Sequence, residues 1–341
     1  MHVVLSYSKN SHNHWAYFCR MANMNSDPLR WRLAQAALAS VFFLVSCGNR
    51  VNPAPKPQPP PPFEFLGAWG EKGQGPGKLD APVAFAADSL SHVFFADPGG
   101  GFVHKFESKG TPLLSFEDTR VRHAAGIAVD SGGAIYVTDA QRGNIHIFFP
   151  DGTFLQSWRS PAQRKFIGPL GIGTDEQGDL YVPDPTHSRL LKFNNRGHLV
   201  KSWPAPQKAL SADERPSWVS LEPDDTVFVA YFSTGRIEKF SSDGSWMTTW
   251  AAASNASGEP SPISGFAVAG GFVFTMAAST SEIRVWTTDG KNKLDADLGT
   301  SLGKIAAPQL AVTPREELLV FDPSAPKVFR FLMHLQTKEP I

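Results

Sequence analysis

The stretch GDLYVPDPTHSRLLKFNNRGHLVKSW, residues 178–203, decides the fold. Gly178-Asp179 is a turn signal, and Leu180-Tyr181-Val182 is rich in the residue types that strands favour. The segment Arg189–Phe193 has the same character, and the turn at 194–197 separates it from a further segment that ends in Trp. The pattern predicts short antiparallel strands joined by tight turns.

The same unit recurs along the chain, and an aromatic residue a few positions before a glycine ends each copy. The aromatic residues are Phe106, Phe148, Phe193, Phe240, Trp286 and Phe331. Units of about 45 residues with four strands each are typical of propeller blades, which bury their faces against one another. We therefore predict an all-β fold over residues 63–336, a six-bladed β-propeller of four-stranded antiparallel blades, with a tail at 337–341.

The phase of the repeat predicts how the ring closes. The repeat region begins with an outer-strand sequence, Phe63–Trp69, and its last strand is Lys327–Met333. We expect the strand at 63–69 to pair with the last blade, because this arrangement completes that blade and leaves no sheet open.

Several units resemble NHL repeats. The resemblance is carried by Phe65–Gly70, which is followed by a Gly-x-Gly-Pro-Gly-x-Leu-x-x-Pro segment at 73–82, and by Gly126–Asp130 and Ile135–Asp139. It covers residues 63 to about 336 and is stronger in the first three units than in the last three. The resemblance implies a six-bladed propeller that serves mainly as a binding or scaffolding platform, although some relatives are lyases or sensor ectodomains.

The N-terminal residues have the character of a secretion signal. Arg30 and Arg32 precede the apolar segment Leu33–Ser46, which is shorter than the roughly 20 residues of a membrane span, and Cys47 follows it. Leu-Val-Ser-Cys at 44–47 resembles a bacterial lipobox. The resemblance implies that residues 1–46 are a lipoprotein signal peptide and that Cys47 is lipidated; the alternative is a buried Cys at the end of an apolar helix.

Two further features fit the interpretation as a lipoprotein. A start at Met21 or Met24 gives the signal peptide a conventional length. Residues 47–62 then form a lipidated, Pro-rich linker, and its proline run at 53–62 favours polyproline II, about 30 Å long. We expect a stiff spacer rather than a docking motif, and a location in the bacterial cell envelope, facing the periplasm or exterior.

Four aspartates occupy one position of the repeat, nine residues before the aromatic that ends the unit. They are Asp97, Asp139, Asp184 and Asp322. They could hold a cation, but propeller symmetry places them on different blades, so we favour hydrogen bonds to turn N–H groups. His104 and His146 share a position on neighbouring blades and are expected to face solvent.

Composition and motifs exclude several kinds of site. The formal net charge is zero, and no basic run indicates nucleic acid. Amidating-lyase relatives bind zinc through histidines on their inner strands, whereas the inner segments of this chain contain none and His123 lies just before the second. We predict no metal, no cofactor and no catalytic residue.

The predicted ligand site lies at the mouth of the central channel. Trp218 stands at a position where most units have a small residue, so it either plugs the channel or stacks on a sugar or peptide ring. Residues on loops at the same end are expected to form a shared rim with it. They are Arg122, His123, Arg142, His187 and Tyr231.

These features predict a membrane-anchored extracytoplasmic propeller that recognises a protein, a peptide or a glycan. The alternative is a propeller enzyme of the lyase or lactonase type, which needs a metal and converging polar side chains in the central channel. A purely structural envelope module is a third interpretation.

Overall fold

The structure, a computed structural model, describes residues 59–159, 171–204, 214–253, 261–278 and 280–335. A compact unit begins at Pro60. The predicted signal peptide (residues 1–46), Cys47, the linker up to residue 58 and the tail at 337–341 lie outside the described residues. The expectations for these segments therefore stay predictions.

The described residues form six four-stranded antiparallel sheets, which confirms the all-β six-bladed propeller. Blade 1 comprises β2 (Ala84–Ala87), β3 (His92–Asp97), β4 (Phe102–Glu107) and β5 (Pro112–Glu117). Blade 2 comprises β6 (Ala124–Val129), β7 (Ile135–Asp139), β8 (Asn144–Phe148) and β9 (Phe154–Arg159). Blade 3 comprises β10 (Gly173–Thr174), β11 (Leu180–Asp184), β12 (Arg189–Phe193) and β13 (Leu199–Pro204).

The second half of the ring has the same order within each sheet. Blade 4 comprises β14 (Trp218–Leu221), β15 (Val227–Tyr231), β16 (Arg236–Phe240) and β17 (Trp246–Ala251). Blade 5 comprises β18 (Ile263–Ala269), β19 (Phe272–Ala277), β20 (Glu282–Thr287) and β21 (Asn292–Asp297). Blade 6 comprises β22 (Gln309–Val312), β23 (Glu317–Asp322), β24 (Lys327–Met333) and β1 (Phe63–Trp69).

Blade 6 joins the two ends of the repeat region. β1 pairs antiparallel with β24, from Phe63 opposite Met333 to Trp69 opposite Val328. The innermost strand of blade 6 contacts the innermost strands of blades 1 and 5. The ring is thus closed by a sheet that contains chain from both ends of the repeat.

The hydrophobic core lies between the blades rather than inside any one of them. The buried side chains Tyr136 and Ile147 of blade 2 pack in one cluster with Val182 and Phe193 of blade 3. Similar clusters join the other blades. A four-stranded sheet has two apolar faces, and only a neighbouring blade on each side can remove both from water.

The recurring glycines and aromatic residues interlock neighbouring blades. In the turns before five of the six outer strands, a glycine lies under the aromatic ring of the preceding blade's outer strand, so close that an added Cβ would overlap the ring. The pairs are Gly110 with Trp69, Gly152 with Phe116, Gly197 with Trp158, Gly244 with Trp203 and Gly290 with Trp250. The glycine thus serves both the turn, where its φ is positive, and the contact between blades.

The alternating strand directions give the propeller two different faces. The loops that enter the inner strands, and the turns between the second and third strands, lie on what we call the upper face. The turns between the first and second strands, and between the third and fourth, lie on the lower face. Pro62 accepts a hydrogen bond from the His334 N–H (2.9 Å), so the chain enters β1 from the lower face.

Two short helical turns interrupt the described strands. A 3-10 helix, Thr119–His123, joins blades 1 and 2, and the Asp118 side chain caps it by accepting from the Arg120 N–H. The helix α1, Gly299–Leu302, joins blades 5 and 6. Both are too short for helical periodicity, which explains why the sequence pattern does not predict them.

Candidate functional site

The innermost strands of all six blades line a central channel with a cavity of about 210 Å³. Most side chains along the described part of the channel are apolar, but polar atoms supply the larger share of its accessible surface. One large side chain from each blade contributes to the wall: Phe85, Ile127, Ile172, Trp218, Phe266 and Leu310. A channel of this composition offers apolar contacts together with polar groups that can orient a ligand.

Trp218 is held in place on two sides. Its indole stacks on Phe232 with 5.9 Å between ring centroids and 12° between ring planes. It also covers Gly171, where an added Cβ would lie only 1.9 Å from the indole. The ring remains half-buried and lines the channel, so it fills part of the channel and still presents an accessible aromatic surface.

Four of the predicted rim residues lie on loops of the upper face. Arg122 and His123 end the 3-10 helix, Arg142 lies in the turn between β7 and β8, and His187 lies in the turn between β11 and β12. The structure thus places these four residues and Trp218 toward one face of the propeller.

Carboxylates next to the rim hold three of these side chains. Arg122 pairs with Glu117 (3.1 Å), Arg142 donates to Asp139 (3.1 Å), and the Nδ1 of His187 lies 2.8 Å from an Asp184 oxygen. Each cationic or imidazole group is therefore fixed by an acidic partner nearby and still reaches solvent at least in part.

The prediction that Tyr231 lies on the rim is corrected by its burial. Only 2% of this residue is exposed, and its hydroxyl donates to Glu238 at 2.8 Å. Burial and the neighbouring Glu238 raise the pKa of the Tyr231 phenol. Tyr231 lies at the end of β15 like the aspartates of blades 1, 2 and 3, but its ring is large enough to pack inside the blade.

Tyr231 belongs to a buried polar cluster that the sequence analysis does not identify. Arg236 donates to Glu214 (2.7 Å) and to Glu238 (2.7 Å), and its guanidinium lies 4.2 Å from the centre of the Tyr231 ring. Thr234 also donates to Glu214. Burial outweighs the charge of Arg236 and raises the pKa of Glu238 to about 7. The sequence signal is that blade 4 changes two equivalent positions together, to Tyr231 and Glu238.

The four repeated aspartates accept hydrogen bonds from nearby groups, mainly backbone N–H groups of turns and loops. Asp97 accepts from the N–H groups of residues 80 and 81, and Asp139 accepts from those of residues 141 and 142. Asp184 accepts from His187, and Asp322 accepts from Ser324. This is the structural role that the sequence favours for them.

His104 and His146 are buried, so the expectation that they face solvent is wrong. Each lies beside the aspartate of its blade and against the outer strand, where Nδ1 meets the hydroxyl of Ser115 (2.8 Å) or Ser157 (2.7 Å). Burial lowers the pKa of both imidazoles. The outer strand of the blade covers both histidines. The alternation of residues along one strand does not show that another strand covers them.

Within the described ranges, no group of three or more His, Cys, Asp or Glu side chains is arranged to hold a metal ion. Over the same residues, no helix has the length and apolarity needed to cross a bilayer.

No protein-family model matches the chain, and no curated protein matches it. Solved structures do match. Virginiamycin B lyase from Staphylococcus aureus is similar over 80% of this chain and 99% of its own, with a TM-score of 0.57 and 12% sequence identity. A gluconolactonase from Xanthomonas campestris is similar over 75% of this chain and 86% of its own, with a TM-score of 0.57 and 16% identity.

The β-propeller domain of Cps50 (Swd1) from Myceliophteria thermophila is similar over 80% of this chain and all of its own, with a TM-score of 0.55 and 9% identity. At these identities the likeness shows the fold alone. Proteins with different names share the propeller, so the function has to be argued from the side chains of this chain.

Proposed function

We propose that this protein is a lipid-anchored binding propeller of the bacterial cell envelope, built from NHL-type repeats. Its ligand, an aromatic or sugar-bearing protein, peptide or glycan, docks on the upper face at the mouth of the channel. The observation that carries the proposal is Trp218, whose indole lines the channel and is fixed by Phe232 and Gly171. An aromatic surface that is already ordered binds a flat ring without further loss of side-chain freedom.

The chain enters the propeller on the lower face, opposite the proposed ligand site. Pro62 lies on the lower face next to His334, and the proposed lipid on Cys47 is 15 residues upstream of Pro62. Arg122, Arg142 and His187 surround the ligand as polar groups that select its orientation.

The first test concerns ligand binding. We expect Trp218→Ala to weaken binding of any ligand found on glycan or peptide arrays by about fivefold, because a stacked ring contributes roughly 1 kcal/mol. Trp246→Ala is the matched control, since Trp246 is 55% exposed on the outer strand of blade 4. Equal binding by wild type and Trp218→Ala would remove the upper-face site from the proposal.

The second test concerns the anchor. We expect mass spectrometry of the full chain, expressed in a bacterial host, to find a diacylglycerol on Cys47 and no leader before it. Cys47→Ser is expected to move the protein out of the membrane fraction, whereas Cys19→Ser leaves it there, because residue 19 lies in the proposed leader. A mature chain with an unmodified Cys47 would contradict the anchor while leaving the binding test intact.

The enzyme alternative rests on the fold that the chain shares with a lyase and a gluconolactonase. Elemental analysis of the purified full chain separates the two candidates. One zinc or calcium ion per chain, retained through gel filtration, favours the enzyme, because the proposed binding role does not use a metal.

A further inference from the structure

A second concave site lies on the lower face, where the channel opens. Its cavity measures about 490 Å³, which is more than twice that of the channel and within the range of small-molecule sites. Walls from blades 5 and 6 supply most of its surface, and turn residues of blades 1 and 4 complete it.

Small residues and a short turn open this cleft. Blade 5 connects its first two strands through Gly270 and Gly271 alone, whereas the corresponding turns of the other five blades have four or five residues. Open space surrounds both glycines where a Cβ would stand. Without these side chains, space remains at the lower ends of the inner strands. Ala87 and Ala269 widen the cleft further.

The cleft wall is apolar and partly adaptable. Phe272 and Phe274 of β19 and Val312 of β22 line it, and Met333 and Leu335 complete it at the end of the last strand. Met333 and Leu335 are only partly buried. An unbranched thioether adjusts its shape to a bound apolar group and makes favourable contacts with aromatic rings.

The charged residues that the structure places along this cleft are both acidic. Asp88 is buried, and its oxygens accept from Leu90 N–H, His92 N–H and His92 Nδ1. Glu316 is exposed at the rim. The cleft thus combines an apolar floor with a negative edge, which is complementary to a cation that carries an apolar group.

The backbone at Glu316 is also unusual for a glutamate. Five turns between first and second strands share one hydrogen-bond pattern, and their left-handed position holds Gly133, Gly178, Ser91, Asp225 or Glu316. Glu316 occupies that position with φ of 59°. Positive φ is uncommon for residues other than glycine, although three of these turns adopt it, and Glu316 lines the rim of the cleft from this position.

We propose that this cleft binds a small organic cation, an amine with an apolar ring or chain. The apolar group lies against Phe272, Val312 and Met333, and the ammonium group pairs with Glu316. This site lies on the opposite face from Trp218, so its occupancy does not depend on the binding role proposed above.

Methionine-methyl NMR of the full chain tests this proposal with 4-phenylbutylamine and 4-phenylbutyrate, which share a ring and chain but differ in charge. We expect the amine to shift the Met333 methyl signal in a saturable way, with a dissociation constant on the order of millimolar for a ligand of this size. The buried Met276 reports the fold, and the exposed Met247 on an outer strand reports non-specific contact.

Two kinds of variant separate the contribution of the Glu316 charge to amine binding from that of the cavity. Glu316→Gln is expected to weaken amine binding by up to about fivefold, the most that one exposed ion pair contributes, and to leave 4-phenylbutyrate unchanged. Glu176→Gln, an exposed carboxylate on the equivalent turn of blade 3, should change neither ligand. Ala269→Phe fills the cleft and should abolish the Met333 shift while Met276 keeps its position.

Two results would overturn the proposal. One is an unchanged Met333 signal at saturating amine in a folded protein. The other is equal affinity for the amine and the carboxylate in both wild type and Glu316→Gln, because the acidic rim would then contribute nothing to recognition.

Discussion

Blades 2 and 4 carry different chemistry on the same backbone. The third residue of the third strand is His146 in blade 2, opposite Val137, and Glu238 in blade 4, opposite Val229. The second strand ends in aspartate in blade 2 and in tyrosine in blade 4. The propeller backbone therefore determines where a polar pair is buried. The residues of each blade determine which hydrogen bonds and ion pairs that pair makes.

The two solutions differ in their use of charge. In blade 2 the carboxylate of Asp139 accepts from turn N–H groups, and burial keeps His146 neutral beside Ser157. In blade 4 two buried carboxylates, Glu214 and Glu238, share the guanidinium of Arg236. Blade 2 depends on backbone donors that stay in place, whereas blade 4 depends on one side chain and on the ionisation of its partners.

The largest effect is expected from removing the shared cation. Arg236→Met leaves Glu214 and Glu238 buried without a counter-charge, and we expect it to lower the free energy of unfolding by about 3–5 kcal/mol. Arg142→Met is the blade 2 control and should cost less than about 1 kcal/mol, because its side chain is 54% exposed and Asp139 keeps its backbone donors. Urea unfolding at pH 7 measures both, and similar losses would erase the distinction between the blades.

The pH dependence should have opposite signs in the two blades. Glu238 has its pKa raised from an ordinary 4.5 to about 7. The folded state therefore holds a proton there that the unfolded state has released. The stability from this group falls as pH rises from about 5 to 8, by roughly 3 kcal/mol. Urea unfolding at about pH 5 and about pH 8 measures this decline. Glu238→Gln should make the two free energies of unfolding nearly equal.

His146 contributes a pH dependence of stability with the opposite sign. Because burial lowers its pKa below 6.5, the unfolded state binds the proton first, and stability is lost as pH falls through the ordinary range of histidine. His146→Phe should remove this loss, and the fall in stability from Glu238 should then be steeper between about pH 5 and 6.5, where the two contributions oppose each other. A variant of either residue that changes the contribution of the other would show that the two blades are coupled.

A smaller loss of stability is expected from the contact between a turn glycine and the aromatic ring of the preceding blade, which both blade 2 and blade 4 have. In Gly244→Ala the new methyl group overlaps the Trp203 indole at a residue with φ of 80°, and we expect a loss of about 2–3 kcal/mol. Gly271→Ala isolates the backbone term, since its φ is also 80° but no atom lies within 4 Å, and should cost about 1 kcal/mol. Thermal unfolding compares them, and equal losses would show that the ring contact contributes nothing.

Sequence reasoning located the strands because the repeat is periodic in local chemistry. Arg189–Phe193, for example, is β12 with the bounds that the pattern predicts. The same reasoning placed Arg122, His123, Arg142 and His187 on loops, because turn residues mark the loops of every unit. It misplaced Tyr231 and the two histidines, because burial inside a blade depends on the outer strand and on the neighbouring blade.

The sequence alone determined the number of blades and the four strands of each, since both depend on spacing that recurs every 42 to 47 residues. Only the tertiary structure decided the ionisation of Glu238 and the cleft on the lower face. Both arise where residues far apart in the chain come together, as Glu214 does with Glu238 and Ala87 does with Met333. Desolvation and cavity shape depend on all the atoms around a group, and no local pattern contains that information.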